Sequence, residues 1–458
     1  MKRNEFFSPD AVTITASAPG RLDVIGGIAD YSGSLVLEMP IQEATRVTIA
    51  SRPDLTIRIY SDNASAIGAK SLVEYDIDEI GAAIKGPSYA AFRNSIPAGC
   101  EWSGYVAGCF LVLHKELGVP LAGCDLYVQS DVPTAKGVSS SASLEVAAMC
   151  AIGEIIDAPL ADNDIPVLCQ KVENEVVGAP CGLMDQLTCY HGRNGELLPI
   201  LCQPDDVRDG VPIPEGICFA GIDSGVRHAV SGASYGDVRT AAFMGYSLIA
   251  QHLGLDPAAI QHARETGNRT DLPFEGYLAN LGCERFAREF ADLLPETMSG
   301  SEFLSSCGTT IDSVTEVNSG SLYGVLPSTR HPVFEHERVT RFMELLEELE
   351  SVSDGDTGRS IKLSLGALMV EAHESYNACG LGNHVTDYIV SRVMDAGPER
   401  GVYGAKITGG GSGGTVCILC DNPHGIACVR SIAAEVSKAG DSEPFVFLGS
   451  SDGARWRQ

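Results

Sequence analysis

Three short segments carry residue types that could hold a phosphorylated ligand and assist its reaction. "KGVSSSASLEVA", residues 136–147, sets a glycine and three serines immediately before an apolar helical run. The first turn of a helix exposes unpaired N–H groups and the positive end of the dipole, both suited to phosphate oxygens. Small residues let an anion approach the backbone, and a serine hydroxyl can ligate Mg²⁺. The same serines would also serve as an ordinary N-cap, and the G-x-x-x-x-G-K-[ST] spacing is missing. "QKVENEVVGAPCGLMDQLTCYHG", 170–192, puts Glu173 and Glu175 on a helical stretch and Asp185 beyond Gly182 in an apolar setting. That aspartate is either a helix-start carboxylate or a buried base. "GRLDVIGGIADYSG", 20–33, combines turn-forming glycines with Arg21, Asp23 and Asp30. Its charges either face a ligand or sit in water beside turns.

Two further clusters are read differently. In "KITGGGSGGTVCILC", 406–420, Gly409, Gly411 and Gly414 satisfy G-x-G-x-x-G. A dinucleotide fingerprint opens a helix, whereas these glycines run into a strand-like "TVCIL". The segment is expected to be a tight loop between strands, and a dehydrogenase is rejected. Cys417, Cys420, His424 and Cys428 have a spacing that could suggest zinc. On a strand, however, Cys417 and Cys420 face opposite sides, so buried thiols are expected.

These segments need elements to position them. "TRVTIAS" (45–51) and "LTIRIYS" (55–61) alternate as half-buried strands do. "GYVAGCFLVLHKELG" (104–118) reads as a buried helix ending at Gly118. "CDLYVQSDVP" (124–133) reads as a strand running into a turn ahead of the serine-opened helix. "HERVTRFMELLEELE" (336–350) is an amphipathic helix, and 298–314 is expected to be loop-rich. A Pro-, Asp- and Gly-rich stretch at 203–216 suggests a boundary, giving an α+β protein of two lobes, 1–208 and 209–458.

Bulk properties narrow the function classes. The 458 residues can bury large cores, and 44% hydrophobic with 20% charged residues is an ordinary globular composition. With 32 basic against 60 acidic residues the net charge is −28, which disfavours nucleic acid and anionic membrane as partners. A phosphate site would then need local backbone amides and a cation. The fifteen scattered cysteines suggest reduced thiols in a cytoplasmic compartment. Neither a signal peptide nor a membrane span is expected.

The order "PGRLDVIGGIADYSG", "KGVSSSASLEVA", "CGLMDQ", "TGGGSGG" resembles the GHMP small-molecule kinases, in their galactokinase-like branch. "SGVRHAVSGASYGDVR" (224–239), "RHPVFEHERV" (330–339), "LGALMVEAHESY" (365–376) and "GVYGAKITGGGSGG" (401–414) extend the resemblance over about residues 12–450. It implies a two-lobed fold with ATP, Mg²⁺ and a sugar in the cleft between lobes, yielding a sugar 1-phosphate and ADP. It makes Lys136, Gly137, Val138, Ser139, Ser140, Ser141 and Ala142 the nucleotide phosphate loop. Ser141, or Ser140 in its place, and Glu173 would hold Mg²⁺. Asp185 would accept the proton of the anomeric hydroxyl, and Arg21 would stabilise it as a carboxylate. Asp30, Gly182 and Tyr235 would contact sugar.

Galactokinases usually carry a Glu-His pair where this chain has Gly27 and Ile28, the glutamate being associated with the C6 hydroxyl of galactose. L-Arabinopyranose has the galactose ring pattern without that hydroxymethyl group, so an apolar Ile28 would leave no polar atom unpaired. The string also resembles that of L-arabinokinases within the same family. The expected activity is therefore an L-arabinose 1-kinase. A galactokinase, a kinase for a related sugar or uronic acid, and a non-catalytic sugar sensor of the same fold stay open.

Overall fold

The computed structural model describes residues 2–457 other than 87, 159, 162, 227–233, 353–354 and 440–443. A long hairpin organises the first sheet: β1 (Ile14–Ile25) and β2 (Leu35–Ser51) run antiparallel, with Ala18 opposite Thr45 and Asp23 opposite Glu38. The register of β1 slips between Pro19 and Arg21 and again between Asp23 and Ile25. Such irregularities re-aim side chains. β3 (Thr56–Ser61), β4 (Leu72–Asp76), β5 (Cys124–Ser130) and β6 (Glu196–Leu201) complete the main strands. The chain's last strand, Arg455–Arg457, joins the edge of β1, giving the order last strand-β1-β2-β5-β3-β4 with β6 also on β2.

Helix α1 (Ser103–Leu117) ends at Gly118 in the left-handed conformation, as the sequence suggests. α2 (Ser140–Ile155) is buried along nearly its whole length, which explains a composition apolar on every side. Both pack on one face of the sheet, against Ala16, Ala18, Val47, Ile49 and Ile59. α3 (Met184–His191) starts at the segment bearing Asp185.

The second sheet has the order β8 (Val402–Ile407), β9 (Thr415–Asp421), β7 (Ile217–Asp223), β10 (Val446–Leu448). The two sheets share a core: Leu22, Val24, Leu37 and Met39 cluster with Phe219, Leu419 and Phe447. The expected glycine loop lies between β8 and β9, which pair antiparallel. Cys417 belongs to the shared core and Cys420 to the cluster on the opposite face of the second sheet, as strand alternation requires.

α4 (Tyr235–His252) begins with a capping box of Ser234 and Asp237. Two expectations are corrected. The helix expected over 336–350 is α5 (Val325–Ser351), which starts eleven residues earlier and runs through Pro332. Burial of Ser328, Thr329, His331, Pro332 and Val333 outweighs the local penalty of an interior proline. The stretch 298–314 contains a helix, Gly300–Cys307, because Ser299 caps it and Phe303 and Cys307 bury the same face. α6 (Asp356–Ala378) packs beside α5 and supplies Tyr376 to the region behind β1.

Candidate active site

Asp185 stands at the second position of α3, where its charge meets the positive end of the helix. Its Oδ1 accepts from Arg21 Nε at 2.8 Å and lies 2.7 Å from Arg21 Nη2. Its Oδ2 accepts from Ser139 Oγ at 2.6 Å. Arg21 is 3% exposed and also donates from Nη1 to the carbonyl of Gly137 at 2.8 Å. One arginine thus joins the acid to the turn ahead of α2.

That turn has the form of an anion cradle. Ala135, Gly137 and Ser139 all adopt the left-handed backbone region, with φ of 60°, 72° and 56°. Alternation of this kind folds successive N–H groups toward one point, and the open first turn of α2 follows. Lys136 pairs with Asp223 at 2.7 Å, and its carbonyl accepts from Thr415 at 2.8 Å. The carbonyl of Val138 accepts from the Arg21 amide at 3.2 Å. Ala142 is buried, fixing the helix to the sheet.

A cavity of about 360 Å³ opens beside these groups. Arg21, Asp30, Glu173, Gly182, Asp185 and Tyr235 all line it, drawn from segments more than two hundred residues apart. Asp30 is 4% exposed and its Oδ1 has no hydrogen-bond partner. Gly182 lies so close that a Cβ there would be 1.5 Å from Asp30 Oδ2, so only glycine allows this approach. Burial, and then the charge of Asp185, push the Asp30 carboxyl up to about 6, against the pull of Arg239. Arg239 is itself clamped by Asp312 through two bonds, of 2.9 and 2.7 Å.

A buried carboxylate with one unpartnered oxygen lowers the stability of the fold. Asp30→Asn is expected to raise stability at pH 7.5 by on the order of 2–3 kcal/mol. The folded-state value lies above that of the unfolded chain, so the penalty is present above about pH 6 and disappears below about pH 4. The stability gain of the variant, read from urea unfolding, should shrink over that interval. A gain that does not change with pH would refute this origin.

Glu173 lies on a π-helical turn, Val172–Val177. Gln186 donates to its Oε2 at 2.8 Å. Burial, and then the Asp185 charge, raise the Glu173 carboxyl to about 7, against hydrogen bonds from Ser141, Cys181 and Gln186. None of those neighbours is a cation, and Ser141 is in contact. A buried acid beside a serine hydroxyl is a donor set of hard oxygens, which fits Mg²⁺. Among the described residues no cluster of three His, Cys, Asp or Glu could hold a metal ion. Mg²⁺ with one or two protein ligands plus phosphates needs none.

Gly27 and Ile28 are not among the residues lining the cavity. Gly27 sits behind it, where a Cβ would come within 2.1 Å of both Asp23 Oδ2 and the Tyr376 hydroxyl. Ile28 is fully buried with φ of 53° and packs in a core with Tyr31, Val238 and Tyr376. Residues 227–233 of the 224–239 motif lie outside the described residues.

The sequence reading passed over three features. Glu38, opposite Asp23 on β2, is fully buried and approaches Arg21 Nε at 3.2 Å without hydrogen-bond alignment. Burial and Asp23 push its carboxyl well up, against the pull of Arg21. Gln186 bridges Glu173 and the buried Glu145. A second cavity, of about 140 Å³, adjoins Ser140 and Ser141 and is lined by Trp102, Tyr105 and Leu144 among others. The flanking Met184 and Leu187 were the local sign that Asp185 borders a core, and both are buried beside it.

An anion cradle, an ion-paired aspartate and a cavity lined by acids are compatible with phosphoryl transfer to a small hydroxylated molecule. The chain belongs to the GHMP kinases, in their galactokinase branch. The GHMP kinases N terminal domain matches residues 104–193, the galactokinase galactose-binding signature 3–51, and the GHMP kinases C terminal domain 360–438. It is 39% identical to the L-arabinokinase of Arabidopsis thaliana over 98% of this chain but 46% of that protein, so it spans about half of that relative. It is 30% identical to the galactokinase of Chloroflexus aggregans, over 89% of this chain and 84% of that one. Lactococcus lactis galactokinase complexed with galactose superposes with a TM-score of 0.73 at 20% identity, over 99% and 97% of the two chains. A mevalonate kinase gives 0.53 at 15%, over 96% and 99%. The fold is the two-lobed GHMP kinase fold, and the chain is a sugar kinase of galactokinase or L-arabinokinase type. Among the described residues no helix is long and apolar enough to cross a membrane.

Proposed function

We propose that this protein is an ATP- and Mg²⁺-dependent L-arabinose 1-kinase, acting in the cytoplasm through lobes that meet near residue 208. The observation that carries the kinase chemistry is Asp185, bound on one oxygen by Arg21 and on the other by Ser139, at the mouth of the 135–142 turn. The sugar would occupy the 360 Å³ cavity, with a hydroxyl toward Asp30 and its anomeric hydroxyl toward Asp185. Asp185 accepts or orients that proton while the hydroxyl oxygen attacks the terminal phosphorus, whose bond to the bridging oxygen breaks so that ADP leaves and the sugar 1-phosphate remains. An anomeric hydroxyl is more acidic than an ordinary alcohol, so a carboxylate base suffices. The phosphate oxygens rest on the amides of the 137–142 turn, and Arg21 opposes the charge that develops. Ser141 and Glu173 would hold Mg²⁺, which supplies charge neutralisation for the phosphates in a protein of net charge −28. The adenine would take the small apolar cavity beside Trp102 and Tyr105.

The pentose is favoured by the 39% identity to an L-arabinokinase along 98% of this chain. The match to the galactose-binding signature favours galactose as a second substrate. A sugar panel with Mg-ATP, followed by ADP release, is expected to give a higher kcat/KM for L-arabinose than for D-galactose. A clear preference for galactose would overturn the pentose assignment and leave the kinase.

A further inference from the structure

Ser139 occupies the cap position of α2 without capping it. A serine there ordinarily accepts a hydrogen bond from an amide of the first helical turn. Ser139 instead has φ of 56° and ψ of 46°, and its side chain accepts from none of those amides. Its hydroxyl donates to Asp185 Oδ2 at 2.6 Å. Outside glycine, the left-handed region is costly for most residue types, asparagine and aspartate being the usual exceptions. Glycine would serve the turn better if shape were its only duty. A hydroxyl stands at a strained position, and among the described residues the side-chain partner it reaches is the carboxylate.

We propose that Ser139 is the positioning residue of Asp185, and that it joins the seat of the transferred phosphate to the group that meets the sugar hydroxyl. Arg21 occupies Oδ1 through two nitrogens, and Ser139 occupies one lone pair of Oδ2. The remaining lone pair of Oδ2 is thereby fixed in direction for the incoming hydroxyl. Because the serine side chain is turned toward Asp185, the first-turn amides of α2 stay open for phosphate oxygens. This assignment rests on the reading of Asp185 given above.

The test compares Ser139→Ala with Ser139→Gly in the full chain, at saturating sugar. Both variants remove the hydroxyl, and only glycine relieves the left-handed backbone. In both, kcat is expected to fall about tenfold to a hundredfold, the range for loss of a hydrogen bond to a charged group, with KM for ATP changing less than about threefold. The melting temperature of Ser139→Gly should equal or exceed that of the parent, whereas loss of a working cap would lower it. A kcat within about twofold of the parent in either variant overturns the proposal. So does a loss expressed mainly in KM for ATP, which would give the hydroxyl to the nucleotide, or a loss that glycine alone restores, which would make the backbone responsible. If the parent protein itself shows no sugar-dependent ADP release, the kinase reading fails; an active parent with unaffected variants sinks only the role of Ser139.

Discussion

Asp185→Asn is expected to lower kcat by at least about a thousandfold while the protein stays folded and binds sugar. The amide is isosteric, so its oxygen can still accept from Arg21 in place of Oδ1. The amide nitrogen would face Ser139, whose hydroxyl can reverse from donor to acceptor. Arg21 would not be stranded as a buried charge, because Glu38 and Asp23 surround it too. Burial alone would lower its guanidinium, yet Asp185, Glu38 and Asp23 together raise it. What disappears is the carboxylate that Arg21 and Ser139 hold between cradle and cavity. Since the Asp185 charge helps to raise both Asp30 and Glu173, those carboxyls should also become more acidic in the variant. ADP release at saturating substrates and calorimetric titration with L-arabinose check the two halves. Turnover within about tenfold of the parent would remove Asp185 from the reaction.

The largest effect on stability is expected from Lys406→Met. Lys406 and Asp23 form a fully buried ion pair at 2.6 Å, joining β8 to β1 across 383 residues. Asp23 is held further by the amide of Gly27 at 3.1 Å, the hydroxyl of Tyr376 at 3.2 Å and the amide of Gly409 at 3.3 Å. Its own amide donates to Thr408 at 2.7 Å. Removing the lysine strands a buried carboxylate, and a loss of about 3–5 kcal/mol follows. The double variant Asp23→Asn with Lys406→Met removes both charges and should recover more than half of that loss. Urea unfolding of the three variants decides the matter. A double variant no more stable than the single one would show that shape, rather than charge, governs this site. Catalysis should suffer as well, because the glycine loop this pair anchors backs the phosphate cradle. A Cβ at Gly409 would lie 2.8 Å from the carbonyl of Gly137, and one at Gly414 2.9 Å from that of Lys136.

Local signals were read correctly where the chain's own period or a short-range rule sets the structure. The alternation in 45–51 is part of β2, the apolar run 104–118 became α1 with its glycine stop, and the serine run opens α2. Gly182, for which the resemblance implied a sugar contact, lies so close to Asp30 that no Cβ fits between them. The misread pieces, the start of α5 and the helix at Gly300–Cys307, are places where burial against distant elements decides between helix and loop.

The order of motifs thus determined the family, the cradle, and the candidate residues Arg21, Asp30, Glu173 and Asp185, because each rests on residue types within a few positions. Tertiary structure alone decided the pairings of Ser139 with Asp185 across 46 residues and of Lys406 with Asp23, and it brings Arg21 to Asp185 across 164 residues, as the resemblance implied. It also moved Gly27 and Ile28 from an expected pocket wall into the packing behind it. A carboxylate's partner and burial depend on what the fold brings within a few ångströms, and Coulomb and desolvation energies over that range carry no trace in local sequence.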